Sequence, residues 1–172
     1  MEFWKYLEKK FQRSPSQLLA IKALISSGIS VRREQGSARF YSGNIEIKSN
    51  AVARGLHTDR RVILELSRKI TEDSVLSPMF SRLMPLPNLG VASRDMGFGA
   101  IEIIPISAYT PGIVAGVLGI IAREGINVRQ VIVDDPEISS DPRAVIVTDR
   151  PIDSSLIPEI RIVNGVRAVV IL

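Results

Sequence analysis

Residues 109–127 contain the feature that most constrains the fold, an apolar run between a Thr-Pro-Gly start and an Arg-Glu-Gly end. Proline favours the first turn of a helix and glycine the position after its last turn, so Thr110 is the predicted N-cap and Gly125 the predicted C-cap. The run is too short to cross a bilayer. Because Arg123 and Glu124 are its only charged residues, most of the helix surface must be covered.

Glycines recur along one side of this predicted helix, at positions 112, 116 and 119. This spacing places them on one face, where the absence of side chains lets another backbone come close. We therefore expect tight packing against the glycine stripe.

The helix belongs to a regular alternation of elements in the second half of the chain. Hydrophobic patterning predicts strands at 100–105, 127–133, 144–148 and 166–172 and helices at 111–124 and 154–162. This order predicts an α+β, βαββαβ ferredoxin-like plait, with four antiparallel strands and both helices on one face. The strands contain too many valines for all of them to face the helices. A dimer or a partner domain is expected to cover the second face.

The spacing of Tyr109, Pro111 and Gly112 and the run Glu124-Gly125-Ile126-Asn127 resemble the start of the ACT domain, a small-molecule sensing module of amino-acid metabolism. The resemblance covers residues 99–172. It implies that an amino acid binds between this loop and a neighbouring subunit. The ligand-binding positions that carry over are Ser107, Tyr109, Gly112, Ile113 and Asn127.

The physical case for this site rests on the start of the helix, where unpaired backbone N–H groups near Gly112 can face a carboxylate. Asn127 offers donors and acceptors to the rest of an amino acid. Tyr109 stands where the ACT family has Asp or Asn. An aromatic ring there is expected to occupy volume, so the predicted ligand has an apolar or aromatic side chain.

Charge is distributed unevenly between the two halves of the chain. Residues 1–90 carry 15 Lys and Arg against 8 Asp and Glu, whereas residues 91–172 carry 7 against 10. A basic first half suggests that it faces a polyanion, although ordinary surface variation is the alternative explanation.

The first half is predicted to begin with an amphipathic helix at residues 2–12 and a second helix that starts at Ser14-Pro15 and ends at Gly28. Three short strands, at 29–31, 38–41 and 44–47, follow the helices and resemble a small β-wing. Arg32, Arg33, Arg39 and Lys48 on this wing are candidates for contacts to a nucleic-acid backbone.

Residues 49–70 resemble a helix-turn-helix, with a small residue at Ala53 where the helices cross and His57 at the turn position that usually holds glycine. Asp59 is the predicted cap of the second helix, and Ile63 and Leu66 are its predicted buried residues. Thr58 and the outward-facing side chains are the candidate DNA contacts. The predicted DNA-binding residues are Thr58, Arg60, Arg61, Glu65 and Arg68.

Residues 73–98 contain three prolines and predict a linker between a helix-turn-helix-like domain at 1–72 and an ACT-like domain at 99–172. Met79, Phe80, Leu83 and Met84 make this segment too apolar for a free linker. We expect it to pack against another part of the protein.

Most enzyme chemistry lacks its usual residues in this chain. With one histidine and no cysteine, a single chain cannot form a His-based triad that uses a thiol, or a two-histidine metal site. The acidic loop at 134–141 lacks the spacing of an EF-hand. Gly97-Phe98-Gly99 precedes a strand and lacks the third glycine of a dinucleotide-binding motif. We expect no enzymatic activity, no catalytic residues, no cofactor and no metal site.

The combined order of the two domains resembles an archaeal family described as predicted regulators of amino-acid metabolism. The most specific matches are the runs 131–136 and 51–62. The resemblance implies a ligand-responsive transcription regulator that binds DNA and an amino acid, acts allosterically, and forms a homodimer or higher homo-oligomer. The alternative is an ACT regulatory subunit of a biosynthetic enzyme that does not bind DNA. The absence of cysteine and of a visible signal peptide predicts a cytoplasmic protein without membrane contact.

Overall fold

The computed structural model describes residues 3–172, which form a mixed α+β chain with two antiparallel sheets. The chain divides into two compact units, Met1–Leu86 and Pro87–Leu172. The predicted α+β class is therefore confirmed.

The first unit contains five helices and a three-stranded sheet among its described residues. In chain order these are α1 (Phe3–Phe11), α2 (Pro15–Ser26), β1 (Ile29–Glu34), β2 (Ser37–Ser42), β3 (Ile45–Ile47), α3 (Ser49–Gly55), α4 (Arg60–Glu72) and α5 (Leu76–Phe80). The sheet order is β1-β2-β3, and both pairs are antiparallel. Pro15 begins α2 as predicted, but the Ser14 side chain makes no cap hydrogen bond.

The core of the first unit extends into the segment predicted as a linker. Leu7 and Phe11 of α1 and the apolar face of α4 are buried together with Leu76 and Phe80 of α5. The apolar part of residues 73–98 that lies before Pro87 thus belongs to the first unit. Hydrophobic periodicity could not predict this burial, because α5 has only five residues, too few to show a helical repeat.

Asp73 joins α1 to the start of α5. Its carboxylate accepts hydrogen bonds from the backbone N–H groups of Val75 and Leu76, each at 2.8 Å, and from the side chains of Tyr6 and Lys10. Burial opposes ionisation of Asp73, but the hydrogen bonds from Lys10, Tyr6 and the backbone hold its pKa well below its ordinary value. The carboxylate therefore stabilises this corner in its charged form.

The second unit has the predicted βαββαβ order. Its elements are β4 (Gly99–Pro105), α6 (Ile113–Arg123), β5 (Val128–Val133), β6 (Ala144–Thr148), α7 (Ile157–Arg161) and β7 (Val166–Ile171). The strand order is β5-β6-β4-β7, and neighbouring strands are antiparallel. The predicted helix at 154–162 is divided into a 3-10 turn, Ser154–Leu156, followed by α7.

The start of α6 differs from the prediction. The helix begins at Ile113, and its N-cap is Gly112, which has a φ of 89°. Thr110 and Pro111 lie in the preceding turn, so Thr110 is not the cap. The backbone needs a left-handed residue immediately before the helix, and glycine enters that conformation without steric cost.

The helix side of the sheet is a closed apolar core. Ile101 and Ile103 of β4 pack with Val117 and Ile121 of α6 and with Ile160 of α7, and all five are 0–1% exposed. Both helices thus lie over the same face, as the element order predicts.

The second face of the sheet is partly covered by residues 87–98 of the same chain. The Leu89 N–H donates to Gln130 Oε1 at 3.0 Å, and Gln130 Nε2 donates to the Pro87 carbonyl at 2.7 Å. A Cβ added at Gly90 would lie 2.6 Å from Val145 Cγ1. The sequence predicts a dimer or a partner domain as this cover, whereas residues 87–98 of the chain itself supply part of it.

Candidate functional site

The turn between α3 and α4 has the backbone geometry that the helix-turn-helix resemblance predicts. His57 has a φ of 49°, the left-handed conformation for which glycine is usual. The Thr58 N–H donates to the Ala53 carbonyl at 3.0 Å and closes the turn. Ala53 is 4% exposed, and it needs to be small because α3 and α4 cross there.

The start of α4 is fixed by Asp59, whose Oδ1 accepts a hydrogen bond from the Arg61 N–H at 2.6 Å. Ile63 and Leu66 are completely buried. Since these residues set the buried side of the helix, the predicted DNA contacts that belong to α4 project outward and are exposed. They are Arg60, Arg61, Glu65 and Arg68.

The outward charges of α4 differ in their partners. Arg68 pairs with Glu72 at 2.9 Å, and Glu65 pairs with Lys69 at 2.7 Å. The hydrogen bond from Lys69 lowers the pKa of Glu65. Within residues 3–172, Arg60 forms no ion pair. Arg61 likewise has no acidic partner in that part of the chain, so its guanidinium is available to an external anion.

A basic groove lies beside the turn. It has a volume of about 510 Å³ and is lined by Lys48, Asn50, Ala51, Ala53, Arg54, Thr58 and Arg60. Three cations and no carboxylate line it. The sequence prediction included Thr58 and Arg60 but missed Arg54, because Arg54 belongs to α3 and lies beside the groove only where α3 and α4 cross.

The candidate residues of the wing are more constrained. Arg32 donates to the Gly43 carbonyl at 3.0 Å and lies over the Tyr41 ring, 4.7 Å from its centroid. Arg39 pairs with Glu46 at 3.2 Å. Arg33 is exposed on β1 and lines an open groove with Arg68.

A second candidate site lies at the N-terminal end of α6. A cavity of about 170 Å³ is lined by Ile103, Pro105, Ala108, Thr110, Gly112, Ile113, Val114, Ala115, Val133, Asp134, Pro142, Arg143 and Ala144. The first hydrogen bond of the helix runs from the Gly116 N–H to the Gly112 carbonyl. The N–H groups of residues 113–115 therefore have no partner within the helix. The cavity is mainly apolar, and residues 113–115 contribute to its lining.

Two of the five predicted ligand-binding residues, Gly112 and Ile113, line this cavity. Ser107 lies in the preceding loop, where its Oγ accepts from the Tyr109 N–H at 3.3 Å. The Tyr109 side chain is 71% exposed and donates to Glu137 Oε1 at 3.0 Å. This hydrogen bond raises the pKa of Tyr109. The Tyr109 ring therefore does not line this cavity of the single chain.

Asn127 lies at the other end of α6. Its Nδ2 donates to Asp149 Oδ2 at 2.8 Å. Eleven helical residues separate it from Gly112, a span of about 16 Å along the axis. One amino acid cannot contact both residues of the same chain, so a shared ligand would need Gly112 and Asn127 from two neighbouring subunits.

The cavity is also lined by residues that the sequence did not predict, among them Thr110, Val133, Asp134, Pro142 and Ala144. Those on β5, on β6 and in the loop between them could have been predicted from the βαββαβ order. This order places the end of β5 and the start of β6 at the same end of the sheet as the start of α6.

The acidic loop is held by internal contacts. Asp135 accepts from the Glu137 N–H at 2.8 Å, and Asp141 pairs with Arg143 at 2.7 Å. In residues 3–172, no group of three or more His, Asp or Glu side chains could hold a metal ion. A membrane-spanning helix is likewise absent from that part of the chain.

Comparison with known proteins does not assign the chain to a family. No family model matches it. No curated protein matches it either. One solved structure that aligns with it is a Pyrococcus protein titled "Crystal structure of PH0061". The alignment has 14% identity and a TM-score of 0.27, and it covers 91% of this chain and 88% of that one.

Proposed function

We propose that this protein is a ligand-responsive transcription regulator of amino-acid metabolism. In this proposal residues 49–72 form a helix-turn-helix that binds DNA, and residues 99–172 form an ACT-like ferredoxin plait that binds a free amino acid. The protein acts in the cytoplasm as a homodimer or higher homo-oligomer, without enzymatic activity.

The observation that carries the proposal is the pair of exposed arginines at the start of α4, Arg60 and Arg61. They follow a left-handed turn at His57, and the Asp59 cap fixes the helix from which they project. A groove with three cations and no carboxylate lies alongside. A positive surface at the start of a second helix suits a DNA duplex, whose phosphates attract cations while its major groove admits a helix.

The ligand half of the proposal is supported by the cavity at Gly112. Its apolar lining suits an aliphatic or phenyl side chain, since an apolar cavity of about 150 Å³ can hold benzene. The N–H groups of the first turn of α6 suit a carboxylate. Because Asn127 lies far from Gly112 in one chain, a second copy would have to supply it. The proposal therefore needs an oligomer for a complete ligand site.

Regulation then follows from a difference in affinity. A ligand bound between two copies shifts their arrangement only if it binds one arrangement more tightly than another. Two helix-turn-helix units must have a fixed spacing to contact two half-sites of DNA. An amino acid that selects one spacing would change the affinity for DNA.

The experiment is a DNA-binding titration of the full chain on the region upstream of its own gene, with and without each common amino acid. We expect the affinity for DNA to fall as salt rises. We also expect one or more apolar amino acids to change that affinity at least fivefold, the lower end of ordinary allosteric coupling. DNA binding that no amino acid changes would contradict the regulatory coupling. Amino-acid binding without DNA binding at low salt would favour the regulatory subunit of a biosynthetic enzyme.

A further inference from the structure

Leu64 is an exposed leucine on the outer part of α4. It is 42% exposed, whereas Ile63 and Leu66, its neighbours on the same helix, are 0% exposed. Arg60 precedes it by four residues and Arg68 follows it by four. Residues four apart lie on the same side of a helix, so Leu64 stands between two arginines.

Leu64 lines two surface grooves. The charged residues that line the first groove with Leu64 are Arg39, Lys48, Arg60 and Glu46. Those that line the second are Arg33, Arg68 and Glu72. Single exposed leucines are common on protein surfaces. This leucine differs because it lies between Arg60 and Arg68, and the two grooves beside it are lined by five cations and two carboxylates.

The proposed DNA binding determines which chemical groups Leu64 would contact. If the arginines hold the phosphates, the side chain between them faces the base edges of the major groove. The base edges there carry donors, acceptors and one apolar group, the C5-methyl of thymine. A leucine can gain free energy from that methyl group and cannot satisfy the polar groups.

We propose that Leu64 reads a thymine through its C5-methyl group, an inference that rests on the proposed DNA binding. Leu64 is then a specificity-determining residue, while the arginines supply affinity that is independent of sequence. Removing one methyl from the contact should weaken binding about fourfold, which corresponds to about 0.8 kcal/mol.

The test begins with selection of tight-binding duplexes from random-sequence DNA by the full-length wild-type chain. Each thymine of a selected duplex is then replaced in turn by deoxyuridine, which lacks the methyl group and keeps the same hydrogen-bonding edge. We expect wild-type affinity to fall about fourfold at one thymine in each half-site and to change less than twofold elsewhere.

The same duplexes are titrated with Leu64→Ala and with Leu19→Ala as the matched control, since Leu19 is a leucine on α2 that is 71% exposed. Leu64→Ala should lose the preference for thymine at that position, and Leu19→Ala should retain it. Fluorescence of Trp4, the only tryptophan, checks that the first unit of each variant is folded.

Three outcomes would overturn the inference. In the first, no thymine responds to loss of its methyl in the wild type, a result that needs no variant. In the second, Leu64→Ala discriminates as the wild type does. In the third, the selection yields no bound DNA, which would overturn the proposed function as well.

Discussion

The carboxylate of Asp59 and the backbone N–H of Arg61 form a hydrogen bond of 2.6 Å that fixes the first turn of α4. We predict that Asp59→Ala lowers the free energy of unfolding of the first unit by about 1 kcal/mol, the usual cost of losing an N-cap. DNA affinity should fall as well, because the first turn holds Arg60 and Arg61. Urea titration followed by Trp4 fluorescence measures the stability.

Ser14→Ala is the control for this prediction. Ser14 and Asp59 both occupy N-cap positions, but the Ser14 side chain makes no cap hydrogen bond. Its removal should change the free energy of unfolding by less than 0.5 kcal/mol, as for an ordinary surface substitution. Equal losses from the two variants would contradict the assigned role of Asp59.

Local sequence signals were sufficient to predict the geometry of the turn between α3 and α4 and of the start of α4. The left-handed His57, the Asp59 cap and the burial of Ile63 and Leu66 all depend on residues within about ten positions of one another. Backbone preferences and helical periodicity act over that range. By contrast, Leu76 and Phe80 are buried because they pack with residues of α1 and α4. The local sequence pattern of residues 73–98 carries no information about this packing.

The candidate ligand site was predicted less completely. The Pro-Gly signal located the start of α6 to within two residues but did not show that Gly112, rather than Thr110, is the cap. Cap choice depends on backbone torsions that a proline-first rule does not fix. The separation of Gly112 from Asn127 follows from helix length. It could have been derived from the sequence.

A second prediction concerns pH and Asp73. Its folded-state pKa is depressed, so its charged form adds stability at pH values above the unfolded pKa of about 3.9. That contribution is lost as pH falls below this value toward the folded-state pKa. We expect Asp73→Asn to cost about 1–2 kcal/mol at pH 6, in keeping with the loss of hydrogen bonds to a charged group.

Unfolding of wild type and Asp73→Asn at several pH values between 2 and 6 measures this contribution. The difference between the two proteins should shrink as pH falls below about 4. Glu8→Gln, at an exposed position on α1, is the control and should follow the wild type. A difference that stays constant with pH would contradict a stabilising role for the charged form of Asp73.

A third prediction compares the effect on stability of replacing two glycines of the stripe on α6, Gly116 and Gly119. A Cβ added at Gly119 meets nothing within 4 Å, whereas one added at Gly116 lies 2.7 Å from Val163 Cγ1. Gly119→Ala should stabilise the second unit by up to about 1 kcal/mol through helix propensity. Gly116→Ala should gain less or lose stability, because Val163 must move.

Thermal unfolding by circular dichroism and mass by light scattering, measured on the full-length variants, test this pair. Destabilisation by Gly119→Ala together with loss of an oligomer would show instead that a second copy packs closely on this face. The stripe predicted from the sequence would then be an interface between copies.

A fourth prediction concerns the cavity at the start of α6. A substitution at Gly112 is a poor test of steric blocking, because an added Cβ there meets nothing within 4 Å and the φ of 89° strains any larger residue. Ala108 lines the cavity and is half-buried. Ala108→Leu should fill the cavity and abolish stabilisation by apolar amino acids.

A thermal-shift screen of the common amino acids measures this effect. A bound amino acid should stabilise the wild type by about 2.7 kcal/mol at a hundredfold excess over its dissociation constant. Ala122→Leu, at an exposed position on α6, is the control and should respond as the wild type does. The cavity would have no ligand role if Ala108→Leu also responded as the wild type.

The central claim is that Arg60 and Arg61 bind DNA. We predict that Arg60→Ala combined with Arg61→Ala weakens DNA binding about thirtyfold. This figure assumes that each arginine contributes about 1 kcal/mol of binding free energy. The thermal midpoint should change little, because both side chains are exposed and have no ion pair within residues 3–172. Arg13→Ala combined with Arg82→Ala removes the same charge from other exposed positions of the first unit.

The most direct measurement is fluorescence anisotropy of a labelled duplex titrated with the wild type and both double variants from 50 to 200 mM salt. For the Arg60 and Arg61 variant we predict a large loss of affinity and a plot of log affinity against log salt that is shallower by about 2. The charge-matched Arg13 and Arg82 variant should stay within a fewfold of the wild type. Equal losses from the two double variants, or no binding by the wild type at 50 mM salt, would contradict the claim.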